Sequence, residues 1–189
     1  LEEQEEDQIV PNAVDITKTK GIVDFENVQF GYDEDKIIIH NFCSHVGEGQ
    51  KVAIVGPTGA GKTTMIKLLM RFYDVNKGSI KIDGHDLREF NRTELRELFG
   101  MVLQDTWLFS GTIMENIRYG RLDATDEEVI DAAKAAHAHH FIMTQPEGYQ
   151  MVLNEETSNI SQGQKQLLTI ARAILADNKI MILDEATSS

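Results

Sequence analysis

The sequence "GPTGAGKT", from Gly56 to Thr63, decides the fold of this 189-residue chain. It matches the pattern Gly-x-x-x-x-Gly-Lys-Ser/Thr in full, with the apolar run "KVAIV" before it and an amphipathic segment after it. A glycine-rich loop between a strand and a helix cradles phosphates, because its backbone N–H groups converge on the anion. We therefore predict a buried strand at residues 51–55 and, after the loop, a helix whose apolar face carries Met65, Leu68, Leu69 and Phe72.

Individual residues of this loop have expected roles in binding a nucleoside triphosphate. Lys62 is expected on the β- and γ-phosphates, and the Thr63 hydroxyl on Mg²⁺. The alternative is an ordinary glycine-rich turn with an incidental lysine, which the flanking strand and helix patterns disfavour. The residues predicted to contact the nucleotide are Gly56, Pro57, Thr58, Gly59, Ala60, Gly61, Lys62, Thr63 and Thr64.

A second motif, "IMILDE" at residues 180–185, complements the loop. Its four apolar residues predict another buried parallel strand. Asp184 is expected to hold Mg²⁺ through its water shell, and Glu185 to polarise an attacking water. A buried strand that ends in acids is common by itself, but after a complete phosphate loop it indicates a site that hydrolyses the bound nucleotide.

The rest of the pattern alternates strands with helices, which predicts an α/β fold. We expect strands within residues 21–32, 36–46, 78–84 and 101–104, and a short helix within 92–100. Thr125 and Glu128 form a predicted capping box ahead of "VIDAAKAAHA". The predicted fold is a P-loop NTPase core with a mainly parallel sheet, a small antiparallel β part and an inserted helical subdomain at about residues 106–160.

Composition narrows the classes of partner. Lys and Arg number 18 against 31 for Asp and Glu, so the net charge of −13 argues against nucleic acid and against docking on anionic lipid. No apolar run reaches the length of a membrane span, which predicts no direct insertion by this segment. The acidic residues 1–20 are interpreted as a linker. The one cysteine, Cys43, excludes an internal disulfide and is expected to be a small buried apolar residue.

The stretch "TSNISQGQKQ", residues 157–166, predicts a helix N-terminus with Ser161 as its N-cap. A capped helix start with free N–H groups is suited to an anion. The loop, "ISQGQ" and "ILDEATSS", in that order, resemble the nucleotide-binding domain of an ABC transporter of exporter type. In "ISQGQ", Ile160 and Gln162 replace the leucine and the first glycine of the family signature Leu-Ser-Gly-Gly-Gln.

The resemblance, which covers the chain from Gly21 onward, implies further roles. Tyr32 would stack on the adenine of ATP, and Gln104 would touch Mg²⁺ and the attacking water. In a head-to-tail dimer with a second nucleotide-binding domain, identical or not, the signature of one chain would face the γ-phosphate held by the other. That contact would use Ser161, Gly163 and Gln164. The implied function is ATP hydrolysis that drives export, at the cytoplasmic face of the cell membrane, with transmembrane domains as partners and residues 1–20 as the linker from them.

The family's aspartate-bearing loop, a further core strand and a histidine have no counterpart after "ATSS", so we expect a C-terminally truncated domain. Two alternatives stay open: a regulatory half that binds ATP with little turnover, and a soluble ABC-type ATPase, which the net charge disfavours. His137, His139 and His140 are interpreted as solvated rather than metal-binding. Trp107 and Phe109 are expected in a core rather than under a ligand. Residues 154–159 are either a polar loop or a contact to the transmembrane domains.

Overall fold

The computed structural model describes residues 10–33, 36–102, 107–154 and 159–183. It divides into two compact units, Leu1–Phe99 and Gly100–Ser189. The first unit is built on an antiparallel sheet of four strands in the order β2-β1-β3-β4. These strands are β1 (Val23–Phe30), β2 (Ile39–Val46), β3 (Lys77–Ile82) and β4 (His85–Asp86).

Strand β1 shows why these residues pair as they do. Its inward side chains, Val23 and Phe25 and then Val28 and Phe30, are buried, and the pairing register shifts between Phe25 and Val28. Asn27 has a positive φ of 47° at this irregularity. The bulge keeps apolar side chains on the core face on both sides of it.

The α-helices in the described part of the first unit are α1 (Lys62–Leu69) and α2 (Arg92–Glu97). Met65 and Leu68 of α1 are buried, which confirms these two residues of the predicted apolar face. The prediction is wrong at Phe72, which lies beyond the end of the helix and is exposed. The helix stops because Arg71 adopts the left-handed conformation, with φ 53°.

The predicted buried strand at residues 51–55 is not formed. These residues have no strand structure, and the exposed fractions of Val52, Ile54 and Val55 are 54%, 50% and 86%. A strand of this composition is buried only when neighbouring strands pair with it on both sides. None of the strands in the described ranges pairs with this segment, so its apolar side chains remain in contact with solvent.

The beginning of the described chain is fixed by hydrogen bonds to other segments of the first unit. The Val14 N–H donates to the carbonyl of Glu89 at 3.0 Å, and the Val10 N–H donates to Asn91 Oδ1 at 2.8 Å. The Asp83 carboxylate accepts from the N–H groups of Lys20 and Ile22, at 2.6 and 3.0 Å. Residues 10–22 therefore have several fixed backbone positions.

The second unit is mainly helical. Its helices are α3 (Ile113–Arg118), α4 (Asp126–Ala135), α5 (His139–Met143) and α6 (Gln162–Ala176). Its strands form two pairs, β5 (Phe99–Val102) with β8 (Ile180–Leu183), and β6 (Gly111–Thr112) with β7 (Val152–Leu153). Helices α3 and α4 pack against α6 around fully buried Ile113, Ile117, Val129 and Leu168.

Two predictions about this unit have opposite outcomes. The capping box of Thr125 and Glu128 is confirmed, since the hydroxyl accepts from the Glu128 N–H and the carboxylate from the Thr125 N–H. The predicted strand after α6 exists as β8, but only Ile182 is buried, while Met181 and Leu183 are exposed. Among the described strands β8 pairs with β5 alone, which leaves part of its surface uncovered. No helix in the described ranges is both long and apolar enough to cross a bilayer.

Candidate functional site

The glycine-rich loop makes a tight turn that leads directly into α1. The Ala60 N–H donates to the Pro57 carbonyl at 3.1 Å. Gly59 and Gly61 have φ values of 83° and 88°, a region that residues with a Cβ rarely adopt. Gly61 is the N-cap of α1 and offers no side-chain cap. The first N–H groups of the helix therefore lack a side-chain cap at this end, which is suited to an anion.

The Lys62 ammonium lies over the same loop. Its Nζ donates to the carbonyls of Gly56 and Pro57, at 2.7 and 3.0 Å. A phosphate oxygen in the loop would be a stronger acceptor than these carbonyls, because it carries a negative charge that attracts the ammonium. Two backbone carbonyls at the start of the loop thus hold the Lys62 ammonium in place.

Tyr32 lies beside the first turn of α1. Its hydroxyl and that of Thr64 are 3.4 Å apart and hydrogen-bonded. The Tyr32 ring packs nearly perpendicular to the rings of Phe30 and Tyr73, with centroids 5.2 and 5.1 Å away. The structure therefore brings an aromatic ring to the glycine-rich loop at the start of α1. Sequence reasoning missed Tyr73, whose only signal is its place four residues after the end of α1.

The residues expected to bind Mg²⁺ and to activate water are only partly described. Thr63 is exposed in the first turn of α1, next to Lys62. Its hydroxyl is an oxygen donor of the kind that Mg²⁺ prefers. Gln104, Asp184 and Glu185 lie outside the described residues. Their roles therefore remain as the sequence predicts them.

The "ISQGQ" stretch opens α6 in the second unit. The predicted N-cap at Ser161 is confirmed, since its hydroxyl accepts from the Gln164 N–H at 3.3 Å and Gln164 Oε1 accepts from the Ser161 N–H at 2.9 Å. Gly163, inside this first turn, is exposed, and a Cβ there would meet nothing within 4 Å. The helix start is therefore ordered and sterically open.

The other candidate residues form separate groups. His137 and His140 are exposed, while His139 is half-buried and hydrogen-bonded through Nδ1 to the Tyr149 hydroxyl at 2.8 Å. No cluster of three metal-ligating side chains occurs in the described ranges. Asn154 and Asn159 lie at the two ends of the predicted polar loop. Residues 155–158 between them lie outside the described residues.

Trp107 was expected in a core, and this expectation is wrong: its exposed fraction is 61%. It lies at the surface with Phe109 and Tyr119, and the Arg172 guanidinium is 5.9 Å from its ring centroid. Burial of the guanidinium lowers the pKa of Arg172. Arg172 also donates to the Trp107 carbonyl at 3.0 Å, so the ring is fixed by the hydrogen bonds and packing of its neighbours rather than by a core.

Cys43 likewise differs from expectation. It is exposed on β2, a strand at the edge of the described sheet, and its Sγ accepts from the Asn27 N–H at 3.2 Å. The alternation of β2 turns this position outward, since Phe42 and Ser44 on either side are less exposed. The interpretation of Cys43 as a buried apolar residue is therefore wrong.

Comparisons with known proteins give consistent results. A family model described as "ABC transporter" matches residues 39–188. An uncharacterized ABC transporter ATP-binding protein of Bacillus subtilis, YfiC, is 54% identical over all 189 residues, which are 31% of its length. The putative multidrug export ATP-binding/permease protein YgaD of the same species is 51% identical over 180 residues, 95% of this chain and 31% of that protein.

A solved structure is similar as well. A bacterial Atm1-family ABC exporter with ATP bound superimposes with a TM-score of 0.80 at 44% sequence identity. The match covers 94% of this chain and 31% of that one. The chain therefore spans about a third of the length of the proteins it matches.

Proposed function

Because this chain belongs to the ABC transporter family, we propose that it binds ATP with Mg²⁺ at the Gly56–Thr64 loop and hydrolyses it to drive export by a larger transporter. The family membership confirms the resemblance and the α/β P-loop NTPase class expected from the sequence. The mainly parallel core sheet and the inserted helical subdomain at about residues 106–160 are part of the proposal. So is the assignment of residues 1–20 as a linker from a transmembrane domain.

The geometry of the loop is the observation that carries this proposal. Two glycines with positive φ values, an uncapped helix start and an ammonium over the loop together form a site for a polyphosphate. Backbone N–H groups and the dipole of α1 favour negative charge there. Tyr32 adds an aromatic surface, hydrogen-bonded to Thr64, for the adenine. The ATP in the similar exporter structure supports this choice of nucleotide.

Hydrolysis requires a positioned water and neutralised charge. Lys62 would neutralise charge on the β- and γ-phosphates, and Glu185 would accept a proton from the attacking water. Thr63, Asp184 and Gln104 would hold Mg²⁺, which supplies charge stabilisation on the phosphate oxygens when it is bound. Most of the catalytic effect in such a site comes from positioning and electrostatics.

The signature is proposed to act on the ATP of a second nucleotide-binding domain. Its open helix start, with Ser161 and Gly163 in the first turn, is suited to a γ-phosphate delivered by a partner. A head-to-tail dimer would create two such composite sites. The proposed remaining partners are transmembrane domains, which places this domain at the cytoplasmic face of the cell membrane.

Titration calorimetry on the intact protein tests the binding step. Lys62→Ala should weaken MgATP binding at least tenfold, about 1.4 kcal/mol, because it removes the cation facing the phosphates. Lys67→Ala is a matched control, since Lys67 is exposed in the last turn of the same helix. Equal affinities of wild type and Lys62→Ala would contradict the proposal.

Paired substitutions test whether the signature acts in trans. With Ser161→Arg in one subunit and Lys62→Ala in the other, both lesions fall on one composite site and the second site stays whole. With both substitutions in one subunit, each site carries a lesion. Trapped nucleotide should therefore occupy one site in the first arrangement and none in the second. Equal occupancy in both arrangements would contradict a composite site.

A further inference from the structure

Three aromatic rings, those of Phe30, Tyr32 and Tyr73, form a cluster beside the first turn of α1. The Tyr32 ring is nearly perpendicular to the other two, at interplanar angles of 82° and 83°. The Phe30 and Tyr73 centroids are 5.7 Å apart. Such edge-to-face arrangements are favoured by the charge distribution of the rings. Phe30 is buried, whereas Tyr32 and Tyr73 are nearly half exposed, so two rings of the cluster are available to a ligand.

Tyr73 reaches this cluster because of the way α1 ends. The Arg71 N–H donates to the Leu68 carbonyl and the Phe72 N–H to the Lys67 carbonyl, which is the Schellman pattern. Glycine usually occupies the left-handed position of this motif, but here Arg71 does, with φ 53°. The turn sends successive side chains in different directions: Phe72 packs against the Arg96 guanidinium, 4.6 Å from its ring centroid, and Tyr73 packs against Tyr32.

The Arg71 side chain fixes this turn. It is buried, and its guanidinium donates to the carbonyls of Leu87 and Phe90, at 3.2 and 3.0 Å. Its Nε donates to the Asp74 carboxylate at 3.1 Å, and Arg92 donates to the same carboxylate. The residues on both sides of Tyr73 are therefore anchored, and its ring has a defined position.

Asn76 attaches the same segment to the one that carries Tyr32. Its Oδ1 accepts from the Gly31 N–H at 2.7 Å, and its own N–H donates to the Gln29 carbonyl at 3.0 Å. Tyr32 follows Gly31 directly. One side-chain and one backbone hydrogen bond thus hold the two tyrosine-bearing segments together, in addition to the contact between the rings.

We propose that Tyr73 is a positioning residue for the adenine: it holds the plane of the Tyr32 ring so that the base stacks on a preformed surface. This role rests on the proposed function, in which Tyr32 stacks on ATP. A side chain that is ordered before binding does not lose rotamer freedom on binding, so the ordering increases affinity. This gain in affinity depends on the base of the nucleotide and not on its phosphates. None of the described contacts of Tyr73 involves Lys62 or the backbone of the glycine-rich loop.

Two ligands separate a role in base stacking from general damage to the fold. Titration calorimetry on the intact protein would use MgATP and magnesium tripolyphosphate, which has the phosphates but no base. Tyr73→Ala and Tyr73→Leu should weaken MgATP binding about fivefold, equivalent to about 1 kcal/mol, and leave tripolyphosphate binding unchanged. Tyr73→Phe should bind MgATP with the affinity of the wild type, because it keeps the ring. Phe72→Ala is the matched control next to it and should bind both ligands as wild type does.

The outcomes distinguish this inference from the proposed function. If Tyr32→Ala weakens MgATP binding while Tyr73→Ala and Tyr73→Leu do not, the role of Tyr73 is wrong and the proposed function stands. If the Tyr73 variants lose affinity for tripolyphosphate in the same proportion, they act through the loop, and the inference is also wrong. A wild-type protein that binds tripolyphosphate but not MgATP would contradict the adenine site itself.

Discussion

Replacement of Asn116 by alanine should loosen the segment that precedes α3. Asn116 is fully buried. Its Oδ1 accepts from the Phe109 N–H at 3.1 Å and from the Arg172 guanidinium at 3.2 Å, while its Nδ2 donates to the carbonyls of Phe109 and Thr112, both at 3.0 Å. One side chain thus joins the segment after Gln104 to α6, the helix that carries the signature.

The expected magnitude follows from these four bonds. A side-chain hydrogen bond contributes about 0.5–1.5 kcal/mol net to stability. Its loss costs more when a buried partner is left without a hydrogen bond. The partners of Asn116 are only partly buried, and the bonds are not independent. We therefore expect a loss of about 3 kcal/mol, which raises the equilibrium constant for local opening by about 10².

Hydrogen exchange measured by mass spectrometry on the intact protein provides the assay. Amides in residues 107–118 that exchange through local opening should exchange about 10²-fold faster in Asn116→Ala. Asn159→Ala is the control, because Asn159 is exposed and its Nδ2 donates to the Val152 carbonyl at 3.0 Å. If the amide hydrogens of residues 107–118 exchanged at the same rate in both variants, Asn116 would not hold this segment.

Two further predictions concern a helix start and the phosphate loop. The hydrogen bond from the Thr125 N–H lowers the pKa of Glu128, so its carboxylate stabilises the fold above its ordinary pKa of about 4.3 and loses that effect as the pH falls further. The difference in melting temperature between wild type and Glu128→Gln should therefore shrink below about pH 4, and a difference independent of pH would contradict this. Gly61→Ala should weaken MgATP binding about tenfold, because φ is 88° and the new Cβ would lie 3.1 Å from Ile38 Cγ2. Gly49→Ala, at φ 67° with nothing within 4 Å, should leave binding unchanged, and an equal loss in both variants would show that the effect is not specific to the loop.

Features set by residues close in sequence were predicted well. The helix starts at Thr125 and Ser161 depend on side chains three residues apart, so the sequence contains all the information that the caps need. The loop and its entry into α1 are local in the same sense.

Features set by distant neighbours were predicted poorly. The apolar run at residues 51–55 and the end of β8 have the composition of buried strands, but burial depends on which strands lie beside them. Trp107 is exposed and packs at the surface against Arg172 and Tyr119, residues that its own segment of sequence does not identify. Tyr73 was missed because its position depends on Arg71, whose left-handed conformation is stabilised by contacts with distant carbonyls.

The most direct test of the proposed function is ATP turnover by the intact protein with Glu185→Gln. The variant should bind MgATP as the wild type does, because Glu185 is assigned to the attacking water and not to the nucleotide. Its turnover should fall by about 10²-fold or more, as expected for loss of a general base, and it should accumulate as a dimer that retains ATP. Wild-type turnover in Glu185→Gln would show that hydrolysis does not depend on this carboxylate, and the catalytic assignment would be wrong.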